Sequence, residues 1–370
     1  MNIAWFTVRQ WADLCATTTD ALAHGMVRNG HALTVFNHDA AAEHEGAPWQ
    51  HVHLERSERR GFQARSLGKS AARWLADEPR SGGIDVALVD WPLLPVMMPA
   101  LARLNRPVVL IDRSPPADAG LFGKLQWKTW RRAWQCLRYG QIQAATVVSD
   151  AHADFVAKRV GVEPRDVHVL PAGVNLDAFK PQPTPAPPLR LVYHGRLDKN
   201  RGVLALPMLV HRLRQSGTEG ELTLIGEGDA LPGLLAMAEQ RPWLNLVPTV
   251  PHHDLPRELA KHHVGLLPMP ATKVWRLASP LKRSEYLAAG LLVLGIDHDG
   301  HRLEGVNDEW YRLFPQEDFL ADGVAWLNAI TEQGLADGRT SARAYADAFC
   351  SWGASVKAME GVLQSFSRDA

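Results

Sequence analysis

Ser279-Pro280-Leu281-Lys282-Arg283-Ser284-Glu285-Tyr286-Leu287-Ala288-Ala289-Gly290 runs directly into Leu291-Leu292-Val293-Leu294-Gly295-Ile296, and the pair reads as a marked helix followed by a buried strand. Ser279 suits the N-cap, Pro280 the first helical position, and Gly290 the left-handed residue just past the end. The N–H groups opening such a helix form an anion site, to which Lys282 in the first turn adds a full positive charge. Glu285 lies five residues beyond Pro280, roughly 7 Å further along the axis at the helical rise per residue. That is about the span from the diphosphate to the ribose hydroxyls of one nucleotide, and an acidic side chain there can accept from both hydroxyls. Ser279, Pro280, Leu281, Lys282 and Glu285 are therefore expected to bind a nucleoside diphosphate.

Outward from this helix–strand unit, short apolar runs alternate with helical patterns along the whole chain, the sign of parallel α/β layers. Strands are expected at Asn2–Val8, Ala32–Asn37, His51–Leu54, Asp85–Trp91, Pro107–Asp112, Ala145–Ser149 and Val167–Leu170. A second series is expected at Leu189–His194, Glu221–Ile225, Leu244–Val247, Val264–Pro268 and Leu291–Ile296. Between them Lys180-Pro181-Gln182-Pro183-Thr184-Pro185-Ala186-Pro187-Pro188 carries five prolines in nine residues. Such a segment enters neither sheet nor helix and reads as a stiff connector. The expected architecture is two Rossmann-like domains with parallel sheets facing a central cleft. The first spans 1–180, a proline-rich linker 181–188, and the second 189–350. Trp352, Val356, Met359, Val362 and Leu363 recur at helical spacing in the tail, predicting a helix from 351 to about 366.

A chain of 370 residues exceeds what one core usually fills, and its 46 % apolar and 22 % charged residues fit a globular protein. Zero net charge argues against a nucleic-acid partner. Cys15, Cys136 and Cys350 are far apart and odd in number, so neither disulfides nor a zinc knuckle is expected, and a reducing, cytoplasmic setting is. No basic leader and no membrane-spanning apolar run is visible. Sixteen histidines include His252-His253, His262-His263, His298 and His301. They lack accompanying cysteines or a His-Glu-x-x-His pattern, so no metal site is expected.

Two more segments carry chemistry. In Tyr193-His194-Gly195-Arg196-Leu197-Asp198-Lys199-Asn200-Arg201-Gly202, Gly195 permits a tight exit from a strand, and Arg196 and Arg201 bracket a loop whose guanidinium forks suit phosphate oxygens. The bland reading is a solvated basic turn. In Leu224-Ile225-Gly226-Glu227-Gly228, Gly226 would let backbone approach a flat ligand such as a nucleobase. Asp112 ends a strand and is the acceptor-side candidate, against the alternative that it caps the turn before Pro115-Pro116. From Ala119 to Ser149 there is no acidic residue, while Lys124, Lys128, Arg131, Arg132 and Arg138 accumulate beside a stripe of Trp127, Trp130, Trp134 and Leu137. A basic helix with tryptophans over 121–138 suits an anionic membrane surface, or equally a core-packed helix with a solvated basic face.

In this order the segments resemble the GT-B nucleotide-sugar glycosyltransferases, specifically the retaining family GT4. Val148-Ser149-Asp150 and Val169-Leu170-Pro171-Ala172-Gly173-Val174-Asn175 resemble the run into that family's interdomain linker. His194-Gly195-Arg196-Leu197 with Arg201-Gly202 resembles its phosphate loop, Ile225-Gly226-Glu227-Gly228 its Gly-x-Gly turn, and Ser279 to Gly290 its nucleotide helix. Phe349-Cys350-Ser351-Trp352 resembles the start of the last helix, which in the family returns to the N-terminal domain. The resemblance implies that Arg196 binds the diphosphate and that Arg201 replaces the usual lysine. Glu285 matches the second glutamate of a Glu-x7-Glu motif whose first position here is Leu277, a variant common where Ser-Pro-x-Lys precedes the glutamate. Asp112 stands in for a histidine usual after the fifth strand, and Thr7-Val8-Arg9-Gln10-Trp11 replaces a glycine pair usual after the first.

The function this implies is retaining transfer of a sugar from a nucleoside diphosphate to a hydroxyl of a glycan or lipid-linked acceptor, without metal or other cofactor. Arg196, Arg201 and the helix tip would stabilise the departing diphosphate. Two alternatives stay open: a nucleotide-sugar epimerase of the same fold, and a catalytically silent homologue, suggested by Leu277.

Overall fold

A parallel ladder needs a crossover of a dozen or more residues between neighbouring strands, and in this chain helices supply nearly all of them. The computed structural model describes residues 1–11, 16–77, 82–116, 120–303, 306 and 309–367. Its first sheet holds β1 Asn2–Phe6, β2 Ala32–Asn37, β3 Gln50–His53, β4 Val86–Asp90, β5 Val108–Ile111, β6 Ala144–Val147 and β7 Val167–Val169, in the order β3-β2-β1-β4-β5-β6-β7. Its second holds β8 Leu189–His194, β9 Gly220–Ile225, β10 Leu244–Val247, β11 Val264–Leu267, β12 Leu292–Ile296 and β13 Tyr311–Phe314, in the order β10-β9-β8-β11-β12-β13. The strand pairs are parallel.

The first sheet carries α1 Thr17–Arg28, α2 Gln63–Leu75, α3 Leu94–Leu104, α4 Gly120–Arg138 and α5 Asp150–Val160. The second carries α6 Ala205–Gln215, α7 Leu231–Ala238, α8 Leu255–Leu259, α9 Lys273–Arg276, α10 Leu281–Ala288, α11 Phe319–Ala329 and α12 Glu332–Phe349. The last helix is α13 Trp352–Ser367. Helix ends follow their local chemistry. Ser149 Oγ caps α5 by accepting from His152 N, and Gly161 closes it at φ 76°. Thr331 caps α12 in the same way, through Gly334 N.

Strands covered on both faces must be apolar at consecutive positions rather than alternately. In β1, Ala4 and Phe6 join one core cluster while Ile3 and Trp5 join another on the opposite face. The second cluster also takes Val356, Met359, Val362 and Leu363 of α13. The second sheet has its own core, in which Tyr193, Leu224, Leu266, Tyr286 and Leu294 are buried.

The chain divides into two units, Met1–Pro171 with Trp352–Ala370, and Ala172–Ser351. The first boundary falls nine residues ahead of the expected 180, and the proline-rich segment is not a connector between domains. Phe179 is buried in the second core, and Val174 N donates to Cys350 O at 2.7 Å. The proline-rich stretch, poor in N–H donors, is held instead through its carbonyls. His263 Nε2 donates to Pro185 O at 2.9 Å, and the buried Arg339 donates to Gln182 O at 2.8 Å. β13 was not expected from the sequence; it pairs with β12 from Val293↔Tyr311 to Ile296↔Phe314. Cys136 and Cys350 are buried free thiols, and Cys15 lies outside the described residues. Among the described residues no helix is long and apolar enough to cross a membrane.

Candidate functional site

The second sheet reverses its strand order between β8 and β11, and ligands of open parallel sheets bind at the carboxyl ends beside such a switch. β8 ends at His194, and Gly195 leaves it at φ 113°; β9 ends at Ile225, and Gly226 leaves it at φ 135°. The two turns interlock through main chain. Gly195 N donates to Ile225 O at 2.9 Å, Leu197 N to Glu227 O at 2.7 Å, and Ala230 N to Leu197 O at 2.9 Å. A Cβ on Gly226 would lie 2.0 Å from Gly195 O, and one on Gly228 would lie 2.3 Å from the Leu197 carbonyl carbon. Gly226 therefore serves a close approach between two loops.

Asp198 gathers the loop's cations. Arg196 Nη2 donates to Asp198 Oδ1 at 3.1 Å and Nε to Oδ2 at 3.3 Å, with the Arg196 side chain half exposed. Arg201 Nε lies 3.7 Å from Asp198 Oδ2, and its guanidinium sits 4.6 Å from the Trp275 ring centroid. Both arginines are thus held at the rim by a shared carboxylate, and an arriving phosphate would compete with that carboxylate for their forks.

The opening of α10 differs in detail from the sequence reading. Pro280, extended at φ −73° and ψ 121°, occupies the N-cap position without a side-chain cap. Ser279 does not cap the helix, because its Oγ accepts from Ala172 N at 3.2 Å and anchors the start of the second unit. Leu281 is the first helical residue, and Gly290 follows the last turn at φ 71°. Lys282 is buried, with Nζ 5.1 Å from the Tyr193 ring centroid and 3.5 Å from where a Cβ on Gly195 would be. Glycine at 195 therefore brings this ammonium against the exit of β8.

Glu285 is 3 % exposed. Oε1 is 2.8 Å from His252 Nε2, a hydrogen bond. Oε2 is 3.1 Å from His194 Nε2, but the contact is poorly aligned and that oxygen has no hydrogen-bond partner. Burial alone would push the carboxyl up; the His194 and His252 imidazoles outweigh it and hold it at about 2. His194 is itself lowered by burial, against the pull of Glu285. The Tyr286 ring stands edge-on to His194 at 5.2 Å, and Tyr286 OH accepts from His194 N at 3.3 Å.

The structure thus brings Gly195, Arg196, Arg201, Gly226, Lys282 and Glu285 into one neighbourhood at the carboxyl end of β8. His194, His252, Asp198 and Trp275 join it unannounced by the sequence. His194 directly precedes Gly195 and was within reach of the motif reading, whereas His252 is separated from Glu285 by the whole of α8 and β11. Leu277 is buried where the resemblance would put a first glutamate.

Asp112 belongs to the first unit and is fully enclosed, at 0 % exposure. Trp130 Nε1 donates to its Oδ2 at 2.6 Å and Trp134 Nε1 at 2.8 Å, with His152 Nε2 3.4 Å away. It neither caps the turn before Pro115 nor presents a carboxylate to an acceptor; it fixes α4 against β5. Of the two readings open for 121–138, the stripe itself follows the core-packed one, since Trp130, Trp134 and Leu137 are buried in the core and Trp127 packs against it. The other histidines that stood out in the sequence are structural: His298 Nε2 contacts Met269 O at 3.1 Å, and His301 Nδ1 contacts Ile296 O at 2.7 Å. Among the described residues no group of three or more His, Cys, Asp or Glu could hold a metal ion.

Comparison with known proteins agrees with this geometry. Residues 15–178 match the model Glycosyltransferase Family 4, and residues 188–329 match Glycosyl transferases group 1. No protein of curated function matches the sequence. Among solved structures, sucrose-phosphate synthase from Thermosynechococcus elongatus superposes with a TM-score of 0.79 at 15 % identity, covering all of both chains. Anabaena HepE in complex with UDP-glucose gives 0.72 at 16 % identity over 99 % of this chain and 100 % of that one. The pneumococcal O-GlcNAc transferase GtfA, in complex with UDP and GlcNAc, gives 0.71 at 9 % over 99 % of each. The chain is a GT-B glycosyltransferase of the family 4, group 1 kind.

Proposed function

We propose that this glycosyltransferase moves a sugar from a nucleoside diphosphate to a hydroxyl acceptor with retention of anomeric configuration. The observation that carries the reading is Glu285, a buried carboxylate whose Oε2 meets only the poorly aligned His194 contact, set at the same strand end as Lys282 and the two rim arginines. That oxygen suits the ribose hydroxyls, and the cations suit the diphosphate. In the transfer the bond between the anomeric carbon and the leaving phosphate oxygen breaks. The acceptor oxygen bonds to that carbon on the same face, and its proton passes to the departing phosphate. Arg196, Arg201, Lys282 and the opening amides of α10 at Leu281 and Lys282 neutralise the charge as it develops. On this scheme neither a metal nor an enzyme nucleophile takes part.

HepE and GtfA are solved with UDP or UDP-sugar, which makes uridine the first base to try. Thermal stabilisation by UDP, GDP, ADP and their sugar conjugates ranks the donors, because a ligand of the folded state raises the melting temperature. Arg196→Ala should then lower turnover about 100-fold with the fold intact; near-normal turnover refutes the role of Arg196. Leu277 favours a second reading, a donor-binding homologue without transfer, which tight donor binding with no product from cellular extracts would support. Donor conversion without any acceptor would indicate an epimerase. We further propose a glycan or lipid-linked acceptor in glycolipid or cell-surface polysaccharide synthesis, met in the cytoplasm at the inner face of a membrane.

A further inference from the structure

Four large apolar side chains of the first unit point into solvent: Phe62 at 57 % exposure, Leu121 at 72 %, Phe122 at 49 % and Leu125 at 54 %. They come from two segments far apart in sequence that adjoin in the fold. A Cβ on Gly61 would lie 2.9 Å from the Phe122 ring, and the Arg60 guanidinium is 5.9 Å from that ring's centroid. The start of α2 and the start of α4 therefore form one apolar knob.

Cations surround it. Arg59, Arg60, Arg65, Lys69 and Arg73 are exposed on the first segment, which has no acidic residue from Arg59 to Ala76. Lys124, Lys128, Arg131 and Arg132 are exposed on the second, which has none from Ala119 to Ser149. The acids that flank the segments in sequence are Glu58 and Asp77 about the first and Asp118 and Asp150 about the second, and Glu58 Oε1 lies 3.4 Å from His38 Nε2 and 3.8 Å from Arg56 Nη2. Trp130 and Trp134 play no part in this surface, since Asp112 holds them inward.

We propose that this two-segment patch docks the protein on an anionic lipid bilayer, with Phe62, Leu121, Phe122 and Leu125 entering the interface and the flanking arginines and lysines meeting lipid phosphates. An apolar knob ringed by cations, with no acid on either segment, matches the layered chemistry of a headgroup region. The inference gives a location to the membrane contact proposed above, and it is independent of the transfer chemistry because its readout involves no donor.

The test is sedimentation of the full chain with vesicles of phosphatidylcholine alone and of phosphatidylcholine mixed with phosphatidylglycerol, at low and high salt. Binding should need phosphatidylglycerol and weaken with salt. Each of Arg60→Gln, Arg65→Gln and Lys124→Gln should lower partitioning about fivefold, and Leu121→Ser with Leu125→Ser should lower it further. Met208→Ser, an exposed apolar change in the second unit, should leave it unaltered. Absence of binding, equal binding to uncharged vesicles, or equal loss in Met208→Ser overturns the proposal. Capture by soluble RNA or heparin without vesicle binding overturns it too, in favour of a polyanionic macromolecule. UDP-induced thermal stabilisation of the same variants tells failed docking from a failed donor site.

Discussion

Glu285 concentrates the chemistry of the second unit in one side chain. Its carboxylate is enclosed, touched on one oxygen by His252 and approached on the other by His194. Glu285→Gln keeps the shape and removes the charge, so the fold should persist while affinity for the donor nucleotide drops. A hydrogen bond to a charged group contributes about 1.5–3 kcal/mol, which is about 10- to 100-fold in Kd; calorimetric titration with UDP measures it. Unchanged affinity would remove Glu285 from the nucleotide site. The same residue sets a pH dependence. Its folded-state pKa lies below the ordinary value, so the folded protein binds the proton less readily than the unfolded chain, and stability falls as acid is added. The contribution is complete above about pH 4.5 and is lost towards 2. Urea unfolding across that range should show wild type and Glu285→Gln converging as pH falls. Glu285 was legible in the sequence because Pro280, Gly290 and charge marked its helix. Its imidazole partners were not, because their contact depends on how separate crossovers return to one strand end.

At the scale of the element, the turns after β8 and β9 act as a single piece. Gly226 at φ 135° has a neighbouring carbonyl 2.0 Å from where a Cβ would be. Gly226→Ala therefore combines backbone strain with a main-chain clash and should cost about 3 kcal/mol or more, with loss of donor binding. Gly217 also has positive φ but open space around it, so Gly217→Ala should cost only about 1–2 kcal/mol. Paired denaturant midpoints decide; equal costs would mean the loops are not packed as described. A Gly-x-Gly turn suggests room for a ligand when only one strand is in view. The alternative use, close docking of a second turn, requires knowing that β8 and β9 are neighbours. Similarly, the α4 periodicity showed that one face is apolar without showing what covers it, and the Asp112 carboxylate between two indole N–H groups supplied that answer.

For the whole molecule, alternation of strand and helix was enough to read two parallel sheets, and the bounds of β2, β8 and β10 coincide with those expected from the apolar runs. The edge strand β13 escaped because Tyr311-Arg312-Leu313-Phe314 is a short run with only Tyr311 buried. The position of the first boundary escaped for a different reason. Proline content reports local stiffness, and it does not report which surface a stiff segment lies on. Arg343 Nη1 donates to Phe179 O at 2.6 Å and to Ala288 O at 3.0 Å, and its Nη2 donates to Leu176 O at 3.3 Å. This one guanidinium ties residues ahead of the prolines to α10. Anyone excising the second half for separate study should therefore cut well upstream of the prolines. A piece spanning 172–351 retains Phe179 and every acceptor of Arg343, and should melt cooperatively and take up UDP like the parent. A piece spanning 189–351 abandons a buried aromatic and strands two arginines, and should precipitate or refold without a sharp transition.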